Sequence, residues 1–196
     1  MASVRGSLRE LTREAVRHHI AQLALDLFSE HGFEQVTVEQ IAAAAGISPR
    51  SFHRYFTAKE DAVLGDATRW ADALRSALLQ RPAAESPWEA LHAAFATIVS
   101  LPESDEESGR RRMRLVTDTP SLRARNTEKH VLWARMLTPV IEDRLSGANR
   151  SVRAEAIVQA ALVCFDVALS AWSRADDGLA AVDHLALAFS PLMSSD

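Results

Sequence analysis

Between Thr37 and Glu60 the chain carries three helix starts and one abrupt helix stop, and punctuation that dense dictates short helices joined by tight turns. Thr37-Val-Glu-Gln40 has the spacing of a capping box, in which a hydroxyl and an amide three residues apart satisfy each other's free backbone N–H groups. Ile41-Ala-Ala-Ala-Ala45 continues for about two turns, and Gly46 then supplies the left-handed residue that ends a helix. Ser48-Pro49 opens the next one: serine accepts from a free amide, and proline fits the first helical position because its missing N–H would be unpaired there. Thr57-Ala-Lys-Glu60 repeats the capping-box spacing and predicts a longer helix running to about Leu79. Two short helices joined through Ala45-Gly46-Ile47 read as a helix-turn-helix, with Ile41, Ala42, Ile47 and Phe52 packed between them.

The flanking sequence is helical in the same sense. From Leu11 to His31 the apolar residues Val16, Ile20, Leu23, Ala24, Leu27 and Phe28 recur at intervals of three and four, and Gly32 stops the run. Its start lies near Ser7, which with Glu10 has capping-box spacing, or nearer Thr12. Beyond Pro82, Ser86-Pro87-Trp-Glu89 starts a helix carrying Leu91, Phe95 and Ile98 that ends by Pro102. The acidic stretch from Glu103 to Ser108 reads as a loop, and Arg110 to Val116 as a short helix. Thr119-Pro120 starts a long one through Leu132, Met136, Val140 and Leu145 to Gly147. Asn149 or Ser151 caps the next, which is rich in small apolar residues, and a final helix follows Gly178 to about Met193. With only 7 glycines and 7 prolines and no strand-period segment, the chain is expected to be all-α with about nine helices. The division is a helix-turn-helix domain over 1–58 and a second helical domain over 59–196.

Charge narrows the functional classes. A formal charge of -4 argues against a protein that coats nucleic acid through bulk positive charge, so any DNA contact must be local. Acids and bases balance through residue 60, yet Ser48 to Lys59 holds Arg50, His53, Arg54 and Lys59 with no acid, and this is where a phosphate backbone could be met. The single cysteine, Cys164, lies in an apolar run and is expected to be a buried thiol, which fits a reducing cytoplasm. No signal-peptide segment and no stretch approaching the length of a membrane span is read from the sequence, so neither secretion nor a membrane is expected.

The segment Phe33-Glu-Gln-Val-Thr37-Val-Glu-Gln-Ile41-Ala-Ala-Ala-Ala-Gly46-Ile-Ser48-Pro49-Arg50-Ser-Phe52-His53-Arg54-Tyr55-Phe56-Thr-Ala-Lys59-Glu60-Asp, with the long helix before it, resembles the N-terminal domain of the TetR family, the tetracycline-repressor-like regulators. The match spans residues 12 to about 65. The later helices match the family in number and order. The resemblance implies a sequence-specific transcriptional regulator, a homodimeric repressor that binds a palindromic operator and is released by a small ligand. It places Ser48 to Tyr55 as the recognition helix in the major groove. Arg50 is then the leading base reader, since a guanidinium pairs with both guanine acceptors, with His53 and Arg54 next. Pro49 and Ser51 lie on the same element, proline contributing shape. Backbone contacts fall to Thr37, Ser48, Tyr55 and Lys59, the first two at helix starts where free amides favour phosphate. Tyr55 has core packing as its alternative, Lys59 a solvated charge. Arg5, Arg9 and Arg13 form either a minor-groove arm or a solvated tail.

In the family the ligand lies within the second domain. The candidates here are Trp70, Phe95, Met113, Trp133, Met136, Phe165 and Trp172, each of which could equally fill a core. The Arg110-Arg-Arg-Met-Arg stretch also looks similar to a subset of the family that senses acyl-CoA-like ligands, with arginines facing phosphates; a solvated basic face is the plain alternative. An apolar or amphipathic effector is therefore expected. No metal is, because His18 and His19 point to different faces of their helix, and no cofactor is called for. No Gly-x-Ser-x-Gly elbow, phosphate-cradling loop or His-Glu-x-x-His is present, so an enzyme is not expected. A purely architectural DNA binder is disfavoured by the acidic charge.

Overall fold

The computed structural model describes residues 8–100 and 106–192. Ser7, Arg5, the expected loop at 103–105 and Met193 lie outside the described residues. All regular structure among the described residues is helical, as ten α-helices and two short 3-10 turns. The chain forms two compact units, 1–65 and 66–196.

The first unit holds α1 (Leu8–His31), a 3-10 turn (Phe33–Gln35), α2 (Val38–Ala44), α3 (Pro49–Phe52) and α4 (Lys59–Leu64). α1 buries Ile20, Ala24, Leu25 and Phe28, while Leu23 and Leu27 are only half-buried. The sequence pattern missed Leu25 because α1 packs against α2, α4 and the 3-10 turn, so its buried face is wider than one stripe. The expected helix from Thr57 to Leu79 is broken. Gly65 (φ 75) ends α4, and α5 (Ala67–Leu79) restarts behind Asp66, whose Oδ1 accepts from the Thr68 and Arg69 amides at 3.0 and 3.1 Å. A glycine stop followed by an aspartate cap is a strong boundary, and it raises the helix number by one. The start of α4 is also displaced by one residue: the Ala58 amide donates to Asp61 Oδ2 at 3.1 Å.

The second unit adds α6 (Pro87–Val99), α7 (Glu106–Asp118), α8 (Pro120–Glu142), α9 (Arg150–Arg174) and α10 (Ala181–Phe189). The Ser86 and Glu89 capping box forms as read, and Pro120 follows Thr119 at the start of α8. α7 begins earlier than expected, because Glu106 and Glu107 make its first turn, where carboxylates complement the free amides. Neither Asn149 nor Ser151 caps α9 with its side chain; Asn149 enters with φ 56. α9 also departs from the expectation about membrane spans. It is 25 residues long and its most apolar 18-residue stretch has a mean hydropathy of 1.6, which is the length and composition of a span, and it buries Ala154, Val158, Ala161, Leu162, Phe165 and Ala168 in the protein core.

Arginines close the C-terminal ends of two helices, where carbonyls lack intrahelical partners. Arg110 donates to the Trp172 carbonyl and to those of Ala175 (2.8 Å) and Leu179 (3.3 Å), and Arg114 to that of Ser173 (2.8 Å), at the end of α9. Arg144 does the same for α5 through Leu78, Arg81 and Pro82 at 2.8 to 3.0 Å.

Candidate nucleic-acid interface and effector site

The interface is built by two helix caps and the turn between them. The Thr37 hydroxyl accepts from the Gln40 amide at 3.3 Å while Gln40 Oε1 accepts from the Thr37 amide at 2.8 Å, so α2 starts where its capping box says. Its end is a Schellman closure: the Ile47 amide donates to Ala42 (2.9 Å) and the Gly46 amide to Ala43 (3.1 Å). That closure needs a left-handed residue, and Gly46 (φ 65) provides it. Ser48 then caps α3, its Oγ accepting from the Ser51 amide at 3.1 Å and donating to Ser51 Oγ at 3.1 Å. Pro49 occupies the first helical turn.

The element expected over Ser48 to Tyr55 has a regular α part ending at Phe52. Tighter bonds carry it on, from the Arg54 amide to Ser51 (3.2 Å) and the Tyr55 amide to Phe52 (2.8 Å). Phe52 and Phe56 are buried, with ring centroids 5.2 Å apart, and fix the inner side. Ser48, Pro49, Arg50, His53 and Arg54 are exposed on the outer side, and Ser51 and Tyr55 are half-buried. Arg50, His53 and Arg54, the residues expected to read bases, are thus all exposed. Thr37 is exposed at the start of α2.

Lys59 is half-buried and bonded within the first unit, so it is more than the solvated charge that is one of its two sequence readings. Its ammonium donates to the carbonyls of Phe33 (2.9 Å) and Val36 (3.0 Å) and lies 4.4 Å from the centre of the Phe33 ring. It ties the start of α4 to the turn before α2. Two further arginines brace the element in ways no local pattern signals. Arg13 donates to the Arg54 carbonyl at 3.3 Å, and the Arg17 guanidinium lies 5.0 Å from the Phe56 ring centre. At the start of α2, Glu39 is held below the usual carboxylate range, first by its backbone hydrogen bond, then by the Thr37 hydroxyl, with a smaller pull from His53. α3 carries no acid in its first turn.

In the second unit, Phe95 of α6, Trp133 of α8 and Phe165 of α9 are buried against one another. Phe95 and Phe165 stack at 4.9 Å, and Trp133 lies 5.9 Å from Phe165 with its Nε1 donating to the Ala67 carbonyl at 3.0 Å. Trp70 and Met136 are half-buried beside that cluster. Met113 is half-buried on α7, and the buried Trp172 sits 5.0 Å from the Arg110 guanidinium. Of the sequence candidates, three therefore meet and four do not join them in one ring cluster.

A polar group lies against the aromatic one. His130 Nδ1 is 3.2 Å from Asp166 Oδ2, and Asn126 Nδ2 donates to Asp166 Oδ1 at 3.2 Å. His130 is 5.4 Å from Trp133, and the Lys129 ammonium sits 4.7 Å from the centre of the same ring. Burial pushes the Lys129 pKa down to about 8, against the opposing pull of Asp166. The sequence reading singled out none of these four residues; a run of polar side chains on a long helix carries no mark of which ones turn inward.

Two family models match the chain. The model described as bacterial regulatory proteins of the tetR family covers residues 20–64, and the one described as the MftR C-terminal domain covers 85–195. MftR of Mycobacterium tuberculosis, named as a regulator of mycofactocin biosynthesis, is 31% identical over 90% of this chain and 89% of its own length. The HTH-type transcriptional regulator TcmR of Streptomyces glaucescens is 37% identical over 60% of this chain and 54% of its own. Among solved structures, FadR of Bacillus subtilis in complex with stearoyl-CoA superposes with a TM-score of 0.58 at 17% identity, covering 89% of this chain and 96% of that one.

Proposed function

Since this chain belongs to the TetR family of bacterial regulatory proteins, and is thus a DNA-binding transcriptional regulator, we propose that it is a cytoplasmic repressor that grips a palindromic operator as a homodimer and lets go when a small molecule fills its second domain. The observation that carries the reading is the outer side of the element after Gly46, where Ser48, Pro49, Arg50, His53 and Arg54 stand exposed over a buried Phe52 and Phe56. Arg50 reads a base, bidentate to guanine. His53 and Arg54 contact neighbouring edges or phosphates, and Tyr55 meets the backbone with its half-buried ring as a prop.

The two serines divide their roles. Ser48 donates its hydroxyl proton to Ser51, so the proton free to meet a phosphate is that of Ser51, while Ser48 orders the cap. Thr37 reaches a phosphate once its hydroxyl turns from Glu39, whose charge makes that helix start the weaker anion site of the two. Lys59 has two of its three N–H groups directed at carbonyls, leaving one for a phosphate.

A homodimer is supported by the outer face of the last two long helices. Val152, Val163 and Val167 on α9 are 70%, 62% and 56% exposed, and Leu187 on α10 is exposed too. An apolar stripe of this kind on two neighbouring helices suits a four-helix contact with a second copy. Two recognition elements are needed because one reads too few base pairs.

The effector we propose has an apolar body, received where Phe95, Trp133 and Phe165 converge. Acyl-CoA thioesters belong to that class, as does the stearoyl-CoA of the Bacillus subtilis FadR complex. Against a phosphate clamp by the arginine run stands the engagement of Arg110 and Arg114 at the end of α9. Selection of bound sites from random duplexes tests the reading: enrichment of an inverted repeat supports it, and binding without sequence preference would sink it.

A further inference from the structure

The start of α1 and the end of the element after Gly46 enclose an open cleft of about 590 Å³. Its described lining is Leu8, Arg9, Thr12 and Arg13 from α1, with Arg54 and Tyr55 from beyond α3. Three of these six residues are arginines and none is an acid; Glu10 and Glu14, the acids in this part of α1, are not among them. Arg9 and Arg13 are one helical turn apart and so share a face of α1, and both are exposed, as is Arg54. The walls are tied together: Arg13 donates to the Arg54 carbonyl at 3.3 Å, and the Arg54 guanidinium lies 5.9 Å from the centre of the Tyr55 ring. The Thr12 hydroxyl donates to the Leu8 carbonyl at 2.8 Å, so its proton is already used. Cations of one sign gathered around one cleft repel one another, and an anion lodged between them turns that repulsion into attraction.

Position selects the anion. A short rod lying in the major groove has a sugar-phosphate strand on either side, so donors gathered beside its end meet backbone and not base edges. We propose that this cleft seats one phosphodiester of the DNA strand that flanks the bases read by Arg50, with Arg9 as a further DNA-contacting residue. Arg13 is a second donor and a positioning residue at once: it uses one N–H on the Arg54 carbonyl, and a guanidinium has five. The cleft is larger than a lone phosphate needs, which leaves room for the sugars on both sides of it. Because Arg13 joins α1 to the end of the element that carries Arg50, the seated phosphate lies at a fixed offset from that residue, and the clamp sets the register in which bases are read. Arg9 and Arg13 belong to a regular helix here, α1, which separates this role from the minor-groove arm and the solvated tail expected from the sequence. The inference rests on the regulator reading, to which it adds one backbone contact.

The test is a salt series on the full-length protein, with affinity measured by fluorescence anisotropy on a selected operator and on a scrambled duplex. Arg9→Gln is expected to weaken both to the same extent and to lower the slope of log affinity against log salt by about 0.9 for each copy bound, while Arg9→Lys keeps most of that slope. A neutral methylphosphonate is then placed at one backbone position at a time along the operator. One position outside the bases read by Arg50 should weaken wild type and leave Arg9→Gln indifferent, because the partner of that phosphate is already gone. An unchanged slope overturns the proposal, and so does a lowered slope with every methylphosphonate penalty intact, which is the mark of a distant charge. A loss confined to A·T-rich flanks and reproduced in wild type by netropsin overturns it in favour of the minor groove. Should Arg9→Gln fail to fold by circular dichroism, Arg9→Ala is read in the same way. Scrambled DNA carries the same phosphates, so the clamp is tested whether or not an operator is found. Specific binding that ignores Arg9 leaves the regulator reading standing without the clamp; an Arg9-dependent slope on every duplex with no sequence preference leaves the clamp and sinks the regulator reading.

Discussion

Replacing Lys129 by methionine is expected to stabilise the second unit, by an amount set by what it costs to keep an ammonium in that place. Burial lowers the pKa from the ordinary 10.5 to about 8, with the attraction of Asp166 already opposing it. At about 1.4 kcal/mol for each tenfold change in proton affinity, a charged Lys129 weakens folding by about 3 kcal/mol. Methionine has a similar length and no charge to desolvate, but it gives up the contact with the Trp133 face, worth about 1 kcal/mol. The net gain at neutral pH is then about 2 kcal/mol. The sign of the pH dependence follows from proton binding: between about 8 and 10.5 the unfolded chain holds a proton that the folded one has released. Wild-type stability therefore rises relative to Lys129→Met across that window, and the advantage of the variant shrinks as pH approaches 10.5. All four tryptophans, at 70, 88, 133 and 172, lie in the unit 66–196, so urea unfolding followed by tryptophan fluorescence reads this unit directly. A variant no more stable than wild type at pH 7, or one whose difference stays constant to pH 10.5, would refute the claim that the ammonium is held at a cost.

Four further outcomes are expected. Arg50→Ala lowers affinity for a selected operator by about tenfold or more while barely changing affinity for scrambled DNA, in fluorescence-anisotropy titrations at fixed salt. Gly46→Ala has open space for its methyl group but must hold φ 65, so hydrogen exchange in the first unit should report a loss of about 1 kcal/mol. Glu85, Glu89 and Asp177 are all held below the carboxylate range by hydrogen bonds, from Arg81, from Ser86 and from the Leu179 amide respectively. The stability they add is present above their unfolded pKa values and is lost as pH falls through the folded ones; acid titration of Glu89→Gln by circular dichroism should therefore show a shallower decline than wild type. Val163→Asp places a charge in the exposed stripe of α9, and sedimentation should then find monomers that no longer bind the operator tightly.

What the sequence determined by itself is whatever is closed within five residues of chain. The Thr37 and Ser86 boxes, the Ser48-Pro49 start and the Gly46 exit form as read, because a cap's donor and acceptor are near neighbours and need no tertiary partner. Those same local signals make the helix-turn-helix, and with it the resemblance to the family, legible in the sequence alone. The break at Gly65-Asp66 was legible on the same terms, and the capping-box spacing at Thr57 masked it by favouring one long helix.

The tertiary structure alone decided the destination of each long polar side chain. Nothing near Lys59 in the sequence announces that it will bond to Phe33 and Val36, and nothing near Arg110 announces the end of α9. Asn126 and Asp166 meet across 40 residues, and only the packing of α8 on α9 turns Lys129 and His130 inward. The physical reason is that a long cationic side chain is compatible with solvent, a carbonyl cluster or a ring face alike, so its environment is fixed by which helices come together and not by its own neighbours in the chain.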